Sequence, residues 1–249
     1  IHWPFCKSKC PYCDFNSHVR DKVDNEDWLE AYLKEINHFY PKLRGRKVTS
    51  IFFGGGTPSL MKPSIIQSII NEINKLWKVD KKVEITLEAN PTSSEAKKFI
   101  EFKNAGINRL SIGIQALNNK DLKFLGREHS SDDAIYTIKT AAKIFDNFSF
   151  DLIYARPDQT IKEWKKELKM ALQHLPPHIS LYQLTIEKGT KFFSMYNNKQ
   201  FQLPDDDLAT KLYEVTQEIC YNNSLPSYEI SNHAKKGFEC KHNITYWEY

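Results

Sequence analysis

The sequence predicts one α/β domain, an open and curved barrel of parallel strands with helices packed outside. Two observations carry this prediction. Apolar runs of period two alternate in order with longer runs of helical period, giving six strand–helix units. Distinctive polar residues fall where the strand runs end, which is where α/β barrels gather their chemistry. Six units are too few for a closed eight-fold barrel and enough for an open one.

Taken in order, "IHWP" reads as the end of a first strand, followed by a helix through Trp28, Leu29, Tyr32, Leu33, Ile36 and Tyr40. "VTSIFF" (48–53) is a β-branched and aromatic strand that stops at three glycines, and Ile65, Ile66, Ile69, Ile70 and Ile73 then form one helix face. "VEITL" (83–87) is the third strand, and Gly106 stops the helix "FIEFKNA". "LSIGI" (110–114) precedes a helix through Ala134, Ile138, Ala141 and Phe145, and "FSFDLIY" (148–154) precedes one through Trp164, Leu168 and Leu172. "ISLYQLTI" (179–186) is followed by a helix through Leu208, Leu212, Val215 and Ile219, and then by a short strand-like "SYEIS" (227–231).

Composition fits an ordinary globular chain of 249 residues, 41% hydrophobic and 27% charged, with no apolar run long enough to span a membrane. The net charge of +4 is spread through mixed-sign stretches such as "KVDKKVE", which read as solvated helix faces and predict no nucleic-acid partner. The chain starts without Met inside a strand and stops after "HNITYWEY", so we expect truncation at both ends. Sparse cysteine without a disulfide framework points to a reducing, cytoplasmic setting.

Three of the five cysteines, Cys6, Cys10 and Cys13, lie within eight residues. An odd number on so short a loop argues against disulfides and for metal. The spacing C-x3-C-x2-C lacks the paired knuckles of structural zinc sites, although zinc with His2 or His18 as a fourth ligand stays open. A 4Fe–4S cubane takes four thiolates. Cys220 and Cys240 are isolated and read more simply as small buried hydrophobes. The remaining alternative leaves one iron free for a ligand from outside the protein.

The glycines in "GGGTPS" (54–59) allow backbone to approach a bound molecule, or simply make a tight turn. Glu88 ends the third strand, Gln115 the fourth, Arg127 lies beyond it, and Asp151 sits within the fifth. Singly, the acids read as halves of salt bridges and Gln115 as a core hydrogen-bonding group. Together they would offer a zwitterionic ligand with a ribose an acid, an amide and a cation for its carboxylate.

With Tyr12 before the last cysteine, the C-x3-C-x2-C spacing resembles the radical S-adenosylmethionine (SAM) superfamily. Within it, "IHWPFCKSKCPYCDFNSH", "FFGGGTPSL", "EANP", "NRLSIGIQ", "LGREH", "DLIYARPDQT", "YQLTIEKGT" and "HNITYW" resemble the HemN/HemW group in the same order along nearly the whole chain. The resemblance implies a partial (βα)6 TIM-like barrel over 1–231 and the start of a C-terminal region at 232–249. It implies a 4Fe–4S cluster on Cys6, Cys10 and Cys13, with SAM on its open iron. Tyr12, Gly55, Gly56, Thr57, Glu88, Gln115, Arg127 and Asp151 would surround them.

The group holds two kinds of function. One is the oxygen-independent coproporphyrinogen III dehydrogenase, a radical enzyme that decarboxylates two propionates. The other is a haem chaperone that passes haem to acceptor proteins in the cytoplasm or at a membrane. The dehydrogenase pattern carries a further cysteine where this chain has Phe15, and "HNITYW" resembles the chaperones, so the chaperone is expected and the dehydrogenase is the alternative. The resemblance makes His242 the candidate haem ligand and is compatible with a homodimer. One departure stands out: "ARPDQT" (155–160) replaces the group's "GLPGQT", which bears on the loop beside the SAM pocket.

Overall fold

Pro4 decides how the chain begins, because it has no amide to give to a ladder. In the computed structural model, which describes residues 1–248, the opening run is split around it into β1 (His2–Trp3) and β2 (Phe5–Cys6). β1 joins the main sheet beside β4 (Lys47–Gly55), while β2 leaves it and pairs in parallel with β3 (His18–Val19). The first cysteine therefore sits where the chain peels off the barrel.

The sheet runs β1, β4, β5 (Lys78–Ala89), β6 (Arg109–Gln115), β7 (Asn147–Tyr154), β8 (His178–Gln183), β9 (Asn232–Ala234). The first six strands are parallel and β9 adds antiparallel to β8. β1 and β9 are its two edges, so the barrel is open, as the unit count predicts.

Helices α1 (Asn25–Phe39), α2 (Pro63–Leu76), α3 (Ser93–Ala96), α4 (Phe99–Asn104), α5 (Asn119–Phe124) and α6 (Ser131–Ile144) return the chain between strands. They are followed by α7 (Ile161–Leu172), α8 (Lys191–Asn197), α9 (Asp206–Asn222) and α10 (Lys241–Trp247). Reciprocal capping boxes start α6 at Ser130/Asp133 and α7 at Thr160/Glu163. None of the described helices is long and apolar enough to cross a membrane.

Alternation along the strands sorts the two faces. Ile85, Leu87, Leu110, Ile112, Phe150, Leu152, Ile179 and Leu181 pack outward into the helices as one core. The opposite positions are polar: Glu84, Thr86 and Glu88 on β5, Arg109 and Ser111 on β6, Ser149 and Asp151 on β7, His178 and Ser180 on β8. A barrel with a polar lumen can hold a charged ligand at one end if the other end is satisfied from within.

α10 supplies that satisfaction. Glu84 accepts from the Lys241 amide (3.0 Å) and from Cys240 Sγ (3.4 Å), and Tyr228 Oη accepts from Asn243 (3.1 Å) and pairs with His178 (2.8 Å). The segment 227–231 is a bend that follows a single bridge from Ser227 to His233, not the expected strand; continuous pairing begins at Asn232. The sheet thus continues past residue 231.

Candidate functional site

Three aromatic contacts fix the cysteine loop to the barrel. Trp3, Phe5 and Trp28 meet edge to face with centroids 5.1 to 6.0 Å apart, and Tyr32 donates to the His2 carbonyl at 2.7 Å. On its far side the loop is held by the Phe192 amide, which donates to the Pro11 carbonyl at 2.8 Å, and Tyr12 packs on Phe192.

The loop roofs a cavity of about 1010 Å³ at the carboxyl ends of the strands. Cys6, Cys10, Cys13, Tyr12, Gly56, Thr57, Glu88, Gln115, Arg127 and Asp151 all line it, so the structure gathers residues spread over 146 positions of sequence. Gly55 and His242 do not line it. Cys220 and Cys240 are buried elsewhere, away from the cysteine loop, with Cys240 against Glu84.

The glycines serve the chain itself. The amides of Gly54 and Gly56 donate to the carbonyls of Ile1 and Trp3, at 3.0 and 2.6 Å, and that of Thr57 donates to Phe5 at 2.8 Å. A Cβ at Gly56 would lie 2.6 Å from the Phe5 carbonyl oxygen, and one at Gly55, whose φ is +113°, would lie 2.5 Å from the His2 ring. Close approach is required, as the sequence implies, but the approaching group is the first strand rather than only a ligand.

The two acids are half-buried and line the cavity. Glu88 accepts from the Gly55 amide at 3.1 Å; burial, reinforced by the Asp151 charge, raises its pKa to about 7. Burial likewise raises Asp151 to about 6, opposed by a hydrogen bond from Ser180 and the charges of Arg109 and Arg127. Gln115 reaches the cavity through a backbone at φ +73°, where the β6–β7 register slips between Ile112 and Gln115.

Arg127 is more engaged than its sequence position implies. Nη1 donates to Cys10 Sγ at 3.3 Å, while Nη2 donates to Asn90 Oδ1 at 2.7 Å and to the Gly113 carbonyl at 2.8 Å. Its Nε is buried with no partner. Thr57 Oγ1 donates to Cys6 Sγ at 3.4 Å.

This donor set fits a cluster with an open corner. Among the described residues no three His, Cys, Asp or Glu side chains converge on a single ion, whereas a cubane takes each thiolate on a different iron and needs them spread. A half-buried cation, two half-buried acids and an amide around one cavity suit a zwitterion beside it.

His242 lies instead on α10, stacked on Phe52 with centroids 4.2 Å apart and planes at 16°, and edge-on to Tyr246 at 5.0 Å. Sequence reasoning missed Asn90 and the buried Arg109, which donates to Ser149 Oγ at 2.9 Å. The signal for Arg109 was available in the polar positions of period two inside the strands.

Comparison with known proteins places this geometry. The model of the Radical SAM superfamily matches residues 1–171. Over its full length the chain is 38% identical to the "Heme chaperone HemW" of Escherichia coli (strain K12) and 40% identical to that of Haemophilus influenzae, covering 65% and 66% of those proteins. It is 36% identical to the mouse "Radical S-adenosyl methionine domain-containing protein 1, mitochondrial", covering 56% of it. The chain therefore spans just under two thirds of the length of the HemW relatives. Among solved structures, the coproporphyrinogen III oxidase HemN of E. coli superposes with a TM-score of 0.82 at 23% identity, covering 99% of this chain and 57% of that one. The match over 171 residues, with the cysteine loop at the mouth of an open barrel, assigns the family: the chain belongs to the radical SAM superfamily.

Proposed function

We propose that this chain is the cluster- and SAM-binding part of a haem chaperone of the HemW type, which carries haem to acceptor proteins. The observation that carries the reading is the match, over the whole chain, to relatives named as haem chaperones. Phe15, 57% exposed where the dehydrogenase pattern has its extra cysteine, supports it over the dehydrogenase alternative.

In this reading Cys6, Cys10 and Cys13 hold a 4Fe–4S cluster, whose fourth iron supplies an open position for the amino and carboxylate groups of SAM. Tyr12 and Thr57 flank the cluster. Gly55 and Gly56 dock the first strand so that Cys6 faces the cavity. Arg127 would offer its guanidinium charge to the SAM carboxylate, Glu88 and Asp151 would accept from its amine and ribose, and Gln115 would supply an amide. His242, apart from this cavity, is the haem ligand, its ring set by Phe52. The barrel runs through β9, and the residues after Ala234 lead into the haem-handling region. The setting is cytoplasmic and reducing, and the partners are haem acceptors at or near a membrane, with a homodimer as the assembly and no nucleic acid.

Anaerobic reconstitution followed by electron paramagnetic resonance, with and without SAM, tests the cluster half. A cubane signal perturbed by SAM, and lost on Cys6→Ala, Cys10→Ala or Cys13→Ala, is expected; a signal indifferent to these substitutions overturns it. Haemin titration tests the other half: a saturable Soret shift weakened by His242→Ala is expected. Decarboxylation of coproporphyrinogen III in the presence of SAM overturns the chaperone reading in favour of the dehydrogenase.

A further inference from the structure

We propose that Asn90 is a positioning residue that couples the hydrogen bonds received by two of the three cysteines. The inference rests on the cluster assignment above and concerns a residue outside that set. Asn90 follows the end of β5 and lines the cavity. Its Oδ1 accepts from Arg127 Nη2 at 2.7 Å and its Nδ2 donates to Thr57 Oγ1 at 3.3 Å. Each of those partners in turn donates to a cysteine sulfur, Arg127 to Cys10 at 3.3 Å and Thr57 to Cys6 at 3.4 Å. One side-chain amide thus sits at the centre of an unbroken belt from Cys6 Sγ to Cys10 Sγ.

The loop does not need this side chain in order to hold its path. The Asn90 backbone amide is anchored separately, to Glu95 Oε2 at 3.0 Å, and Glu95 is buried and also bonded to Ser59. Arg127 is independently fixed by the Gly113 carbonyl, and Thr57 by the Phe5 carbonyl. What remains for the amide is orientation: it turns the Thr57 hydroxyl proton outward, since it occupies the oxygen as a donor, and it holds one guanidinium nitrogen so that the other faces sulfur. Cys13 lies outside the belt, its sulfur approached by the backbone amide of Phe15 instead.

Donors to a cluster sulfur favour the reduced, more negative state and strengthen retention, and partners of first ligands commonly change metal affinity by 10- to 100-fold when lost. Asn90→Ala should therefore lower the midpoint potential of the reconstituted cluster in the full chain and speed loss of its iron to a chelator by about tenfold. Thr92→Ala loosens the cap of α3 in the same loop without touching the belt, and should leave both values as in wild type.

The readouts are an electron paramagnetic resonance redox titration and the chelator time course, both without SAM, with melting of the metal-free protein as a check on folding. Asn90→Asp, nearly the same size, keeps the Arg127 bond but faces Thr57 with an acceptor instead of a donor, which turns the hydroxyl proton away from Cys6, so its iron loss should also exceed that of wild type. If wild type takes up no cubane, the cluster assignment fails and this proposal with it. If wild type loads normally and Asn90→Ala and Asn90→Asp match it in potential and iron loss, the proposal alone is overturned. A potential lowered equally in Thr92→Ala also overturns it, because the effect then belongs to the loop.

Discussion

Arg156 and Glu167 pair in the interior beside the cavity, and Asp121 stands 3.0 Å from the same guanidinium nitrogen. Glu167 also accepts from the Leu117 amide at 2.7 Å, so the pair ties the segment after β7 to α7 and to the β6–α5 connection. This accounts for much of the "ARPDQT" departure. Where the related group has an apolar residue this chain buries a cation, and two acids meet it. The positions of the two lost glycines keep left-handed backbone, with φ +55° at Ala155 and +58° at Asp158, so the loop retains the path that glycine would take.

Arg156→Leu restores the apolar residue yet leaves Glu167 buried without its cation. Breaking a buried pair from one side costs about 3–5 kcal/mol. Urea denaturation of the metal-free protein should show a loss in that range, and a loss under about 1 kcal/mol would mean that Glu167 takes up a proton or is carried by the Leu117 amide alone.

The barrel was legible because its signals are periodic. Strands at 48–53, 83–87, 110–114 and 148–154 appear within β4, β5, β6 and β7, and the isoleucine stripe from Ile65 to Ile73 is the buried face of α2. Local spacing also singled out the cysteine loop. What sequence could not convey was reach. Asn90 meets Thr57 and Arg127 only because three strand ends converge, and a lone Asn before Pro reads as a turn residue. "SYEIS" failed as a strand for a related reason: Ser227 makes only an isolated bridge to His233, and continuous pairing with β8 starts at Asn232.

Gly56 gives a second prediction. Its Cβ would press on the Phe5 backbone, which a side-chain rotation is unable to relieve, and Phe5 precedes the first cluster cysteine. Gly56→Ala should cost about 2–3 kcal/mol by overpacking and impair cluster uptake. Gly45→Ala is the comparison: φ is +83° with nothing within 4 Å, so it should cost only about 1 kcal/mol and load normally. Equal costs with equal loading would show that the first strand yields.

Leu175 follows α7 with φ +50° and is 75% exposed, so its side chain gains little from packing while its backbone occupies the left-handed region. Leu175→Gly should raise stability by about 0.5–1 kcal/mol, the strain of a non-glycine residue outweighing the entropy of the glycine. A fall in the urea midpoint would show that the leucine makes contacts worth more than its strain.

The half-buried acids make stability depend on pH in a direction opposite to the common one. In the unfolded chain Glu88 and Asp151 ionise near 4.5 and 3.8, whereas in the fold burial holds their protons until about 7 and about 6. Between those limits the folded state binds more protons, so its stability falls as pH rises. The metal-free protein should therefore be most stable, as far as these two groups are concerned, below about pH 4 and lose that contribution progressively up to about pH 7. For Glu88 the loss is on the order of 2–3 kcal/mol. Glu88→Gln keeps an acceptor for the Gly55 amide and removes the ionisation, so the decline between pH 5 and 7.5 should become shallower. Unfolding measured at several pH values decides it: an unchanged slope in Glu88→Gln would mean that Glu88 is already ionised at pH 5, with the Gly55 amide and Arg109 outweighing its burial.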